Sequence, residues 1–419
     1  MGLIRTLPLP IRLPLIRGGL AAVRAARMRS WSVAAQDRPV PGPLVVTGFL
    51  DEVLGIGAAG RATIGALTGA GLEVVPHRLR PAMKRVWSPG AMPPLPAAPG
   101  GVWLIHANAP ETEIALMAHD PADWAGRYRI GYWAWETTEA PSSWARAARW
   151  LHEVWVPSQF VADAMARAFD RIGAPQEKAK LRVMPHPVSA PNAVEPAPER
   201  FNLDPAKQHA LVMFDGRSAF ARKNPWGAIE AWTRAFPEPA TDAQLLVKAV
   251  SLHADRRAAR KLKALAARRP DIVLFEEHLT ALELWSLLAS VEVVLSPYRS
   301  EGFGLVQAEA MAVGRPVIAT GWSAPAEFID DQSGVLLPYR LIPVRDPTGA
   351  YNRGEWAEPD IDACAAALRD LLDHPEKARA LGEAAPARIA RLSEPWSRDN
   401  LSRLPMAAFL SKPARSPSP

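Results

Sequence analysis

Twice along its length this chain alternates short apolar runs with longer amphipathic stretches, and few architectures accept that pattern. The first series predicts strands at residues 44–47, 72–75, 101–106, 128–133, 153–156 and 181–184. Between them it predicts a helix ending at Leu67 and helices at 111–118, 142–150 and 159–169, the last with Ser158 as N-cap. A proline-rich stretch at 185–205 interrupts the series. The pattern restarts with strands at 210–214, 244–250, 272–275, 292–296 and 316–319. Its helices are expected at 225–235, 254–267, 281–289, 305–313 and 361–373. Pro225 falls in the first turn of its helix, where the missing N–H would be unpaired anyway. Strands separated by helices join through crossovers and pair in parallel. The expected fold class is therefore α/β, with two Rossmann-like, doubly wound domains. Facing each other, they would set a cleft at the carboxyl ends of their strands, where such sheets bind ligands. The expected division is an N-terminal arm at 1–40, a first domain at 41–200 and a second at 206–390. A helix within 391–412 would return to the first domain, ahead of a disordered tail at 413–419.

Charge narrows the classes of partner. The formal net charge is +6. Residues 1–36 hold Arg5, Arg12, Arg17, Arg24, Arg27 and Arg29 and no acid. Without them 43 basic residues stand against 43 acidic ones, so the body carries no excess charge for a nucleic acid. The arm reads either as a solvated, flexible tail or as a segment resting on an anionic membrane surface. The second reading would put the protein in the cytoplasm, peripheral to the inner face of the membrane. Pro8, Pro10 and Pro14, with Arg12 and Arg17, break up any apolar core of a secretory signal. No apolar run approaches the roughly 20 residues of a spanning helix. The single cysteine, Cys364, excludes an internal disulfide and suits a reducing compartment. Fifteen tryptophans are many; they belong to the core or form flat surfaces on which sugars dock.

Chemistry concentrates in Ser-Pro-Tyr-Arg-Ser-Glu-Gly-Phe-Gly-Leu-Val-Gln-Ala-Glu-Ala-Met-Ala at 296–312. It begins where an apolar strand ends. Gly302 and Gly304 permit a tight turn, and the free amides of a helix starting near Leu305 suit a diphosphate. Glu301 lies in the loop and Glu309 two turns into the helix. Such carboxylates accept hydrogen bonds from paired hydroxyls, as on ribose or a hexose. A surface loop followed by an exposed helix glutamate would read the same way. A second cluster follows the strand at 210–214: Phe214-Asp-Gly-Arg217, then Arg222-Lys223-Asn-Pro. A guanidinium and an ammonium there can neutralise a diphosphate leaving group, or form an ordinary basic loop. The stretch 48–61 holds Gly48, Gly55, Gly57 and Gly60. Its G-x-G-x-x-G spacing suggests a dinucleotide loop only weakly, because it comes seven residues after the strand closes. Asp360-Ile-Asp362 has a metal-binding form but more simply caps the helix at 361–373. No His/Cys cluster has ligand spacing, so no metal is expected.

Taken together, these motifs resemble the retaining family-4 glycosyltransferases, which have the GT-B fold. Glu301 and Glu309 match the family's E-x7-E signature, with Gly302-Phe303-Gly304, Glu309-Ala-Met-Ala312 and Gly314-Arg-Pro-Val-Ile-Ala-Thr320 around it. The resemblance implies that Glu309 holds the nucleotide ribose and that Glu301 lies beside the donor sugar. It further implies that amides near Gly304 and Leu305 meet phosphate, with Gly302 and Phe303 in the same loop. It puts Arg217 and Lys223 at the diphosphate, and it makes the loop with Gly57 one that reaches toward donor and acceptor. A bacterial subgroup involved in surface polysaccharides is similar at Ile130-Gly-Tyr-Trp-Ala-Trp-Glu-Thr-Thr-Glu139 and at Trp356-Ala-Glu-Pro-Asp360. Many family members end the strand at 128–133 with a histidine; this chain has Trp133, Trp135 and Glu136. Glu136 could bind acceptor hydroxyls or be a buried structural acid. His106 and Asn108 are alternatives for that role.

The resemblance thus implies a hexosyltransferase that needs no cofactor. Its donor would be a nucleotide diphospho-sugar, GDP-mannose first and a UDP-hexose second, and its acceptor a glycan or lipid-linked saccharide. Glu301, Arg217, Lys223 and Glu136 would be its catalytic residues. A nucleotide-sugar epimerase, an inactive sugar-nucleotide-binding protein and an NAD-linked oxidoreductase are the competing classes.

Overall fold

Valine, leucine, isoleucine and alanine fill the strands of both large sheets, as they must when helices cover both faces. The computed structural model describes residues 9–28, 38–52, 55–79, 92–96 and 100–411. The chain divides into two units. The first comprises Met1–Trp135, Glu139–Pro187 and Ser393–Pro419; the second comprises Glu136–Thr138 and Val188–Leu392. Glu136, assigned by sequence to the first domain, therefore sits with the second unit.

In the first unit six parallel strands, β1 (Leu44–Gly48), β2 (Val74–Arg78), β3 (Val102–His106), β4 (Tyr128–Tyr132), β5 (Glu153–Val156) and β6 (Leu181–Val183), lie in the order β2-β1-β3-β4-β5-β6. Alternate residues face opposite sides. Val45, Trp103 and Ile105 pack with the helix Ala109–Met117. Leu44, Val46, Leu104 and Ile130 pack on the other face, together with Trp396, Leu401 and Met406 from the C-terminal segment. Trp396 Nε1 donates to Pro185 O at 2.7 Å. The single helix expected within 391–412 is instead a short helix, Arg398–Ser402, flanked by 3-10 turns at Glu394–Trp396 and Pro405–Phe409. The expected tail at 413–419 lies outside the described residues.

Two expectations fail in this unit. Gly55, Gly57 and Gly60 are not in a loop but inside the helix Gly55–Gly69. The sequence signal was a matter of composition: glycine is rare in helices because it weakens them, so a glycine run reads as a loop. Here the glycine serves close packing. A side chain at Gly57 would meet Glu52 O at 2.5 Å and Phe49 O at 2.7 Å. Likewise, the arm read as flexible contains the helix Leu9–Met28. Its second half is rich in alanine, leucine and arginine, strong helix formers, and Val23 packs against the first-unit core.

The second unit holds β7 (Gln208–Asp215), β8 (Ala243–Val250), β9 (Ile272–Phe275), β10 (Val293–Ser296), β11 (Val317–Thr320) and β12 (Gly334–Leu337). They too are parallel, in the order β12-β11-β10-β7-β8-β9. Helices Pro225–Ala235 and Ile361–Asp373 cover one face and Leu305–Ala312 the other, while Pro375–Leu392 gives Ala378 and Leu381 to the first and Ala385 and Ile389 to the second. Capping residues set several boundaries. Thr280 accepts from Glu283 N in a capping box ahead of Ala281–Ala289, and Asp360 accepts from Ala363 N at 2.9 Å. An antiparallel hairpin, β13 (Tyr339–Pro343) and β14 (Glu355–Pro359), was not anticipated. Strand order reverses between β7 and β10, so the carboxyl ends of these two strands form the switch point at which doubly wound sheets bind ligands.

His106 closes β3 and is 1% exposed, stacked on Tyr132 at 4.2 Å. Neither of its ring nitrogens finds a partner among the described residues. Burial pushes it from 6.5 down to about 4. The unfolded chain therefore binds the proton more tightly, and stability falls as pH drops from 6.5 toward 4, by roughly 3 kcal/mol. Urea unfolding at several pH values should show this loss. His106→Phe, which keeps a ring against Tyr132, should make it smaller; an unchanged pH profile would refute the assignment.

Candidate active site

The segment that carried the sequence argument folds around a buried charge cluster in the second unit. Glu301 is 6% exposed and Arg222 is 3% exposed. Arg222 Nη1 donates to Glu301 Oε2 and to Ser300 O, both at 2.8 Å. Lys223 Nζ donates to the other oxygen, Glu301 Oε1. Burial would raise the Glu301 carboxyl, but Lys223 and then Arg222 outweigh it and hold the group below its ordinary value. Burial also opposes the charge on Arg222, yet Tyr351, Glu301 and Glu136 lift that guanidinium above its ordinary range. Glu301 is thus held in its charged form by Arg222 and Lys223, although burial pushes the Lys223 ammonium below its ordinary value.

The backbone is bent to achieve this. Ala219 and Asn224 bracket the turn that carries both cations, with φ of 60° and 49°. Ser323, at φ 63°, receives Glu301 N on its Oγ at 3.0 Å. Left-handed conformations at non-glycine residues cost about 1–3 kcal/mol each and concentrate at functional sites. Asn224 offsets part of this by donating to Pro297 O at 2.9 Å.

Beside the cluster a small pocket opens at the switch point, lined by Phe214, Lys223, Ser296, Glu301, Val306 and Gln307. Gly304 is the N-cap of the helix Leu305–Ala312, and no side chain caps that end. Its φ is +101°, and a Cβ there would lie 2.7 Å from Pro325 Cγ. Glycine is required, and the first amides of the helix keep their donors for a ligand. Gln307 donates to Ser296 Oγ at 2.6 Å, while its Oε1 has no partner among the described residues.

The other expected residues fall as follows. Glu309 stands half-buried on the same helix, has no side-chain hydrogen bond or ion pair among the described residues, and is pushed by burial from 4.5 up to about 7. Phe303 is a core residue, packed on Phe328 at 5.6 Å, so only its backbone is available to a ligand. Gly302 is buried in the same loop. Arg217 lies in the turn Gly216–Ser218, where Asp215 accepts from its Nη2 at 2.5 Å and its Nε at 3.0 Å. Arg222 and Lys223, not Arg217, are the cations beside Glu301. Gly57 packs in the first unit as described. Asn108 Oδ1 accepts from Ala134 N at 2.9 Å. Trp133 and Trp135 are buried and pack edge-on to Trp144, so they do not present flat faces.

Two residues of the cluster were missed. Arg222 adjoins Lys223 in the sequence, and that adjacency to an expected site residue was the available signal. Tyr351 gave no signal, because it lies in the irregular connection between β13 and β14. Its hydroxyl donates to Glu136 Oε2 at 2.9 Å, and Arg222 lies over its ring at 5.8 Å.

A carboxylate whose folded pKa is raised binds its proton more tightly in the folded state. Its stabilising contribution is therefore present below about 4.5 and lost as pH rises through 7. Glu309→Gln should raise the melting temperature of the ligand-free protein at pH 8, with the gain shrinking toward pH 4.5. A variant that melts lower at both pH values would contradict the buried, partnerless carboxylate.

Comparison with known proteins places this geometry in a context. Residues 210–374 match the family model described as "Glycosyl transferases group 1". An MMP α-(1→4)-mannosyltransferase of Mycolicibacterium hassiacum is 34% identical over 113 residues, which is 27% of this chain and 23% of that protein. The chain thus covers about a quarter of that relative's length. A glycosyltransferase from Rickettsia africae superposes with a TM-score of 0.60 at 14% identity, over 86% of this chain and 96% of that one. Anabaena HepE, solved with UDP and glucose, superposes at 0.58 and 13% identity, over 86% and 97%. The fold is GT-B, and the match to the group 1 glycosyl transferases covers the part of the chain that holds the charge cluster, the uncapped helix and Glu309.

Proposed function

We propose that the protein is a glycosyltransferase that moves a hexose from a nucleotide diphospho-sugar to a glycan or lipid-linked saccharide, with retention of configuration. The observation that carries this reading is the Lys223–Glu301–Arg222 cluster beside the uncapped helix Leu305–Ala312. The diphosphate sits against the helix amides and Lys223, which stabilise the charge that develops as the sugar departs. Arg217 contributes to the same field from its turn. Glu309 accepts the ribose hydroxyls, which explains an acid without a protein partner. Glu301 faces the sugar. The reading assigns no covalent nucleophile among the described residues, and the departing phosphate assists deprotonation of the acceptor on the same face.

The relatives bear on the donor without deciding it. The Mycolicibacterium protein is named a mannosyltransferase, and the Anabaena protein was solved with UDP and glucose. GDP-mannose and UDP-hexoses are therefore the donors to try first. The N-terminal helix, with Ile11, Leu15 and Ile16 exposed, supports a peripheral position on an anionic membrane.

A panel of nucleotide sugars screened by thermal shift should give one that stabilises the protein by a few kcal/mol well above its dissociation constant. With that donor, Lys223→Ala and Glu309→Ala should each lower transfer by at least about 100-fold while the fold persists. Unchanged turnover in both would sink the site. NMR of the product should show the anomeric configuration of the donor; an inverted product would remove the retaining assignment. Nucleoside diphosphate released only in the presence of an acceptor separates transfer from epimerisation or mere binding.

A further inference from the structure

The charge cluster has a second layer that the donor-binding reading leaves unused. Glu136 Oε1 lies 3.8 Å from Arg222 Nη2, too far for a hydrogen bond but close enough for a strong Coulomb contact. Its other oxygen accepts from Tyr351. Four charges are thus gathered in one half-dry volume, Arg222 and Lys223 against Glu301 and Glu136, and they sum to zero.

The element that brings Tyr351 there is built with care. Asp346 Oδ1 accepts from Thr348 N at 2.9 Å, and its Oδ2 accepts from Tyr351 N at 3.1 Å. Val344 N donates to Gly354 O at 3.0 Å and closes the connection between β13 and β14. Arg299 grips Glu358 of β14 with two bonds of 2.8 Å, and its own N donates to Arg222 O. Thr138, two residues after Glu136, accepts from Glu355 N at 2.9 Å. Both the phenol and its carboxylate partner are therefore fixed to the backbone that carries Arg222.

We propose that Glu136, held by Tyr351, sets the anion affinity of this cluster by neutralising Arg222. This inference rests on the nucleotide-diphosphate reading above. Glu136 is a positioning residue here, acting through Arg222. With Glu136 in place, Arg222 is shared between two carboxylates, and Lys223 stays bound to Glu301 until a diphosphate draws it away. Without the Glu136 charge, Arg222 serves Glu301 alone, Lys223 is released and the site carries a net positive charge. The Tyr351 hydroxyl works in the opposite sense. It shares the load on Glu136, and without it that carboxylate turns more fully onto the cations and competes with the ligand.

The two substitutions therefore move binding in opposite directions, which loss of structure would not do. Titration calorimetry with UDP, GDP and inorganic pyrophosphate, at fixed salt, provides the measurement. Glu136→Gln keeps the shape and an acceptor for Tyr351, and it should tighten binding by about tenfold. Glu136→Ala should shift it in the same direction. Tyr351→Phe keeps the ring over Arg222, and it should weaken binding by about threefold. If the unaltered protein binds none of the three probes, the nucleotide-sugar reading falls and this inference with it. If it binds them but Glu136→Gln fails to tighten binding, or both substitutions shift it the same way, this inference alone is overturned.

Discussion

An ionised carboxylate buried without partners is among the costliest groups a fold can contain. Glu301 is buried and ionised, and the second unit is arranged to supply the partners that make it tolerable. Two cations from adjacent positions take one oxygen each, which requires the chain between β7 and its following helix to double back. That reversal is what puts Ala219 and Asn224 into left-handed conformations. Removing one partner of a buried pair typically costs about 3–5 kcal/mol, because the remaining charge is stranded. The strain at three non-glycine residues is held in place by the ion pairs they permit.

The site is also where the sheet has no choice but to open. β7 and β10 are the neighbours at which strand order reverses, so the connections leaving them diverge to opposite faces. The cations leave from β7 and the carboxylate from β10. Lys223 and Glu301 are 78 residues apart in sequence and meet because of this topology.

That separation explains how much could be read beforehand. Helices with local signals were legible to the residue: Pro225–Ala235 from its proline and Ile361–Asp373 from Asp360. Glu301 and Lys223, which the fold brings together, each sit in a short run with chemical meaning of its own. Glycine misled at Gly55–Gly69, where it serves close packing inside a helix, as Phe49 O and Glu52 O against Gly57 require. Tyr351 and the hairpin were hidden for the opposite reason. The strand Tyr339–Pro343 is largely exposed and lacks the apolar run that marks a buried strand. Likewise, the phenol reaches Glu136 only through a contact 215 residues long in sequence. Nothing local announces such a partner.

The two glutamates of the signature end in opposite electrical states, and that contrast assigns their work better than their spacing does. Glu301 is held ionised by two cations, so its charge is fixed and cannot respond to a ligand's hydroxyls without releasing Lys223. Glu309, eight residues on, has no counter-charge among the described residues and titrates near neutrality. Groups whose environments push their titrations apart divide a site's roles between them. On the reading proposed above, hydroxyls arriving at Glu309 favour its charged form by donating to it. Ligand binding near neutral pH would then expel a proton from Glu309 while leaving Glu301 unchanged. On that same reading, the carboxylate that burial disfavours in its charged form is the one that the ligand's hydroxyls would satisfy.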